Sequence, residues 1–300
     1  MAQPSRFCLG RVVKFGSMTA DLLARVIFDP PTISARGARY TFISAQDVRT
    51  DDGRQATYAM LAKYRPDGEV AVVDPSRHAL KQASVQDLLR ASSAFVYIPS
   101  LSGIAYRHIA GSLPHEIFER MFAELVAGSG HVLLGTAEIN PISDIRTFVS
   151  KLARMDAVTE ISATVQPPNP LFGPLWESLF GYLKARGLDK LSVSEHSDAG
   201  IQTSLPEIAA SMDRDSVVSS RSLALMTAQI GAGGDAAVLM AADGYGKATV
   251  RGRQNGEWVT YSSANDQRTF VLDGDPSPER LANEAVSQLL RVNDESGLAH

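Results

Sequence analysis

The sequence predicts an α+β protein of two domains, with mixed, mainly antiparallel sheets and packed helices. Three observations carry that expectation. Alternating stretches are punctuated by glycine turns, "DDG" at 51–53, "PDG" at 66–68 and "QNG" at 254–256, where a positive φ costs little. Apolar residues at helical spacing mark amphipathic helices within 112–130 and 277–292. Three hundred residues with 44% hydrophobic and 21% charged content suit two cores built without disulfides or metals.

Taken in order, "RFCLGRVVKFG" is an opening strand, and "SMTADLLARVIFD" a short helix with Ser17 or Thr19 as cap, ended by Pro30 and Pro31. A meander follows, with strands at about 39–47, 54–65 and 68–73. "SVQDLLRAS" at 84–92 reads as a short helix and "SAFVYIPSLSGIAYRHIAG" as a second hairpin. In the next helix Ile117, Phe118, Met121, Phe122 and Leu125 share a face, with Gly128 as C-cap. Residues 131–167 read as strand, helix, strand, with Phe148, Leu152 and Met155 inward. "PPNPLFGP" at 167–174 closes that unit. A helix "LWESLFGYLKARG", a strand "KLSVSEH" and one or two helices in 205–230 come next. Residues 235–273 read as a set of strands, including the strand-sized run "AAVLMAA" at 236–242. The last helix has Ser277 as cap, Pro278 in its first turn and Leu281, Ala285, Val286 and Leu289 inward. The domains expected are 1–200, with a possible division near 128–140, and 201–300, holding a basic hairpin and the terminal helix.

Composition narrows the function. The net charge is −4, which leaves nucleic-acid binding to local clusters of Lys and Arg. A single cysteine, Cys8, excludes an internal disulfide and a cysteine zinc cage, and reads as a small buried hydrophobe. No apolar run reaches the roughly 18–20 residues that span a bilayer, and the N-terminus lacks a signal-peptide core. A cytoplasmic protein is expected.

The most informative stretch is "GYGKATVRGRQNG" at 244–256, with Lys247, Arg251 and Arg253 and no acid. It is not a nucleotide-hydrolysing loop. The glycine that should stand five positions before Gly246 is Ala241, the residue after the lysine is Ala248, and an alternating strand follows instead of a helix. Lys247, Thr249 and Arg251 are spaced by two and share a sheet face, while Val250 and Trp258 can face the core or each other. Cations and a hydroxyl on such a face suit phosphate oxygens without reading bases, and they equally suit a solvated strand. A second positive region spans 34–65, with Arg36, Arg39, Arg49, Arg54, Lys63 and Arg65 against Asp47, Asp51 and Asp52. Its Tyr40, Tyr58 and Tyr64 read as sheet packing before stacking platforms.

No catalytic constellation is visible. The six histidines form no H-E-x-x-H or other close ligand pair, no G-x-S-x-G elbow occurs, and no acidic-x-Lys pair follows a strand. Glu195 and His196 lie on opposite faces of a strand, so "EHSD" is not a joint site. No cofactor or metal is expected, and no catalytic residue is assigned.

Three stretches carry a resemblance. "SVQDLLRASSAFVYIPSLSGIAYRHIAG", "EISATVQPPNPLFGPLWESLFGYL" and "AAVLMAADGYGKATVRGRQNGEW" resemble parts of the phage lambda RexA-type exclusion proteins, over roughly 36–265. The resemblance implies a cytoplasmic, two-domain homodimer in a bacterial host cell that binds double-stranded DNA with weak sequence preference. It implies action in superinfection exclusion from a prophage, beside a membrane-protein partner, and carries over no site residues. Charge and strand phase alone select Lys247, Arg251, Arg253, Arg36, Arg39 and Arg54 as candidate DNA contacts. An anti-phage nuclease with a dispersed site and a protein-interaction module remain the alternatives.

Overall fold

The structure, a computed structural model, describes residues 3–130, 135–166, 183, 185–188, 190–205 and 233–295. The fold is α+β, with two antiparallel sheets. β1 (Pro4–Gly16) is central to the larger one. One edge of β1 pairs with β6 (Gly103–Arg107); the other is shared end to end by β12 (Thr269–Asp273) and β7 (Gly135–Pro141). Beyond β6 lie β5 (Ala79–Ile98), β4 (Gln55–Asp74), β3 (Ala38–Arg49) and β2 (Ile33–Ala35).

Helices cover both faces of this sheet. α1 (Ala20–Phe28) starts at Thr19, whose hydroxyl accepts from the Leu22 amide at 3.2 Å. With α2 (His115–Ala127) it encloses one core, where Phe118 stacks on Tyr106 at 4.4 Å and meets Phe95 edge-on at 5.6 Å. The opposite face takes the long C-terminal helix (Pro278–Glu295), through Leu281, Ala285 and Leu289 against Leu9, Val96 and Ile98. Contact there is close: a Cβ on Gly103 would lie 2.3 Å from Leu289 Cδ1.

The smaller sheet has the order β11 (Glu257–Ser262), β10 (Gly246–Gln254), β8 (Ala157–Val165), β9 (Leu191–His196). Its inner face packs on α3 (Ile145–Leu152) and α4 (Gly234–Met240), joining Phe148, Leu152 and Met240 to Ile161 and Val250. The C-terminal helix is α5. A polar seam ties the sheets together. Arg11 of β1 donates to the Leu101 carbonyl at 3.0 Å and to Asn293 Oδ1 at 2.5 Å, and lies 5.4 Å from the Tyr245 ring centroid. Asn140 donates to Gln166 at 3.0 Å beside it.

Several expectations need correction. Residues 84–92 are not a helix: they belong to β5 and pair with β4. A short apolar run such as "VQDLL" fits either periodicity, and here the long-range ladder decides. The "PDG" turn at 66–68 is absent, because β4 runs on from Gln55 to Asp74. Pro66 is tolerated where β3 has ended and that edge of β4 is free. The run 236–242 is not a strand but lies in α4 and the helical turn after it, in keeping with the helix preference of alanine. The sheets also do not divide at residue 200: the small sheet takes β8 and β9 from before it and β10 and β11 from after it. The stretch 167–174, most of the helix expected at 175–187 and most of the helical segment at 205–230 lie outside the described residues. Among the described residues no helix is long and apolar enough to cross a membrane.

Candidate nucleic-acid interface

β10 alternates without a break. Ala248, Val250 and Gly252 are buried, while Lys247, Thr249, Arg251 and Arg253 are exposed. Local geometry sets both ends. Gly244, at φ 88°, turns the chain out of α4, and its missing Cβ leaves room for the Arg11 side chain. After Gln254, Asn255 and Gly256 take φ values of 51° and 81°, the paired positive angles of a two-residue hairpin turn. That turn places Arg253 opposite Trp258, Arg251 opposite Thr260 and Thr249 opposite Ser262.

Trp258 thus lies on the same outer face as the cations and stays 53% exposed, while Val250 is fully buried on the other side. The guanidiniums of Arg251 and Arg253 sit 5.0 and 4.9 Å from the indole centroid. At that range cation–π attraction draws each guanidinium to the ring. Toward β8 and β9 the face continues with Glu160, Ser162 and Thr164, and then Ser192, Ser194 and His196. The Thr164 and Ser192 hydroxyls are 3.2 Å apart. Among the described residues the surface is therefore a sheet face of hydroxyls, three cations, one exposed indole, one imidazole, His196, and one carboxylate, Glu160. It can hold phosphate oxygens at Lys247, Arg251 and Arg253 and stack a flat ring on Trp258.

At its Lys247 end the face opens into a cleft of about 400 Å³. Ala123, Ile139, Pro141 and Ala264 contribute apolar lining, and Glu116, Arg120 and Glu138 are exposed around it. Glu119 accepts a hydrogen bond from the Tyr106 hydroxyl at 2.6 Å, and that hydroxyl in turn accepts from Gln267 Nε2 at 2.6 Å. Burial pushes the Glu119 carboxyl up to about 7; the Tyr106 bond and Lys247 oppose the rise, and Glu116 adds to it. Burial also lowers the pKa of His115. Among the described residues no group of three or more His, Cys, Asp or Glu is arranged to hold a metal ion.

The other predicted contacts do not join this surface into one patch. Arg36 lies in the β2–β3 turn at φ 50°, and Arg39 is on β3 opposite Tyr64. Arg54 is at the far end of the β3–β4 hairpin, roughly 30 Å along the strands by the rise per residue, and its Nε is 2.7 Å from Asp52 Oδ2. Tyr40 is buried, and Tyr58 and Tyr64 are half-buried in the sheet, as packing residues. Glu195 turns inward and caps α4 by accepting from the Gly234 amide at 2.9 Å, while His196 faces out toward Asp198 at 3.2 Å. Trp258 was legible as a partner of Arg253 from the two-residue turn alone; Glu119 had no local signal.

A family model described as a domain of unknown function, DUF4747, matches residues 75–214. The matched stretch runs from the β4–β5 turn through β9 and stops short of β10 and β11. No curated protein matches the chain.

Proposed function

We infer that the chain is a non-catalytic protein that binds DNA with little sequence preference on the solvent face of the small sheet. One observation carries this reading: Lys247, Arg251 and Arg253 stand in a row on β10, with two of the three drawn to an exposed indole. Phosphate contacts of this kind neutralise charge and release counterions, so affinity falls steeply with salt and hardly at all with sequence. The likeness to RexA-type proteins supports a setting of superinfection exclusion in a bacterial cytoplasm.

The test is fluorescence anisotropy on unrelated duplexes across a salt series. Lys247→Ala/Arg251→Ala/Arg253→Ala should weaken binding to all of them alike and lower the log–log salt slope by about three, one per phosphate contact. The same Kd at low and physiological salt, or an unchanged slope in the triple variant, rejects the reading. A second reading, an enzyme working in the adjoining cleft, is favoured by one feature, the half-buried Glu119 at the end of the Gln267–Tyr106 chain. Plasmid cleavage that is lost in Glu119→Gln would establish it.

A further inference from the structure

β4 and β5 outrun the sheet that holds them. β3 last pairs with β4 at Tyr64, and β6 first pairs with β5 at Phe95. Between these limits, residues 65–74 and 79–90 form a two-stranded ribbon, on the order of 30 Å long at the usual rise. Among the described residues, four of the seven large exposed apolar side chains lie on or at the base of it: Val72, Val73, Leu80 and Leu89. No other strand borders either ribbon edge among the described residues. A lone two-stranded ribbon is marginal in water, and its free edges are templates for another strand.

The two edges differ in charge. The ribbon part of β4 carries Asp67, Glu69 and Asp74 against Arg65 alone, so two copies of that edge repel. The β5 edge reads "LKQASVQDL" over 80–88, and this run is complementary to its own reverse. An antiparallel pair of copies centred on Ser84 sets Ala83 against Val85, Gln82 against Gln86 and Lys81 against Asp87, each twice. Opposite charges directly across an antiparallel pair attract, and apolar pairs add to this. Faces agree as well: Val70 is opposite Ala83 and Gly68 opposite Val85. Pairing Ala83 with Val85 of the copy therefore continues one apolar row across four strands. Asp87, at φ 51°, ends the regular edge, so the Lys81–Asp87 pairs close its two ends.

We propose that two copies of this chain associate through the free edge of β5, antiparallel about a two-fold axis at Ser84, closing two ribbons into one four-stranded sheet. The interface is isologous, and it stands independently of the nucleic-acid reading.

Light scattering at micromolar concentration tests it directly: the expected mass is twice 32.2 kDa. Lys81→Asp and Asp87→Lys each convert two attractive pairs into two repulsive ones and should weaken the dimer roughly tenfold or more. The double variant Lys81→Asp/Asp87→Lys restores the pairs and should recover the dimer. Far-UV circular dichroism identical in all variants shows that the fold is kept. A symmetric disulfide provides the second readout: on oxidation Ser84→Cys should cross-link to its own copy and Gln82→Cys should not, and Cys8 is buried and does not compete. A mass of 32.2 kDa for the unaltered chain overturns the proposal. So does a double variant no better than the singles, or equal cross-linking at positions 82 and 84.

Discussion

The small sheet and the β4–β5 ribbon both show strand to solvent, but they expose different things. Behind the small sheet stand α3, α4 and a core containing Val250 and Ile161, so its solvent face is free to carry side chains that contribute nothing to that core. The ribbon has no such backing. Val70 and Val85 are half-buried and belong to none of the three cores, and among the described residues both backbone edges are open. A sheet backed on one side can specialise its other side chemically, which is where Lys247, Arg251, Arg253 and Trp258 collect. A ribbon without backing offers hydrogen-bonding edges, and sequence along the edge decides what it accepts.

The sharpest break in this comparison is a buried charge. Val250→Asp places a carboxylate in the closed core of the small sheet and should cost about 4 kcal/mol or more, unfolding that sheet. Val73→Asp, at a site 72% exposed on the ribbon, should stay within about 0.5 kcal/mol. Urea melts of the two variants measure the difference. The next step down compares two glycines. A Cβ on Gly246 would lie 2.0 Å from the Thr164 carbonyl oxygen, so Gly246→Ala should cost about 2–3 kcal/mol. On Gly68 an added Cβ would meet Leu88 Cδ2 at 2.7 Å, which can swing away, and Leu88 Cβ at 2.8 Å, which moves only with the ribbon backbone, so Gly68→Ala should cost about 1–2 kcal/mol, less than Gly246→Ala because the ribbon is unbacked and can shift.

A subtler effect separates stacking from charge on the sheet face. Trp258→Ala should cost about 1–3 kcal/mol of affinity for single-stranded DNA, where an unpaired base can lie on the indole, and less for duplex. Titration against both forms at one salt concentration measures this. A different kind of effect, spread over pH, belongs to the cleft at the Lys247 end. Because the Glu119 pKa is raised from 4.5 to about 7, the folded state binds more protons than the unfolded state between those values. Stability gained from this group is therefore full below about 4.5, falls as pH rises to about 7, and is flat above. In Glu119→Gln that slope should disappear from a series of thermal melts across pH.

Much of the fold was legible where the signal is local. Thr19 caps α1, the stripe from Phe118 to Leu125 lies inside α2, Ser277 and Pro278 start α5, and Asn255-Gly256 turns the β10–β11 hairpin. The ribbon was not legible, because "VQDLL" and "PDG" carry helix and turn signals that a long antiparallel ladder overrides. Strand phase located the cations on β10. The same reasoning carried across the hairpin register would have placed Trp258 beside Arg253 and left only Val250 for the core. Glu119 could not be read, since its partners Tyr106, Gln267 and Lys247 come from three distant strands and loops.

β1 has a consequence in time. Among the described strands it is made first, yet the first half of one of its edges is completed only by β12, and its Arg11 is held by Asn293 of α5. Roughly 250 residues separate Gly16 from Thr269. At roughly 5–20 residues per second, translation keeps β1 waiting on the order of 10–50 s for its last partner. During that interval the face of the sheet that α5 will cover, with Phe7, Leu9 and Val96, is open to water and to whatever else binds apolar strands. Until β12 and α5 have emerged, the nascent chain shows this apolar face to chaperones, and a fragment cut before β12 should aggregate rather than fold.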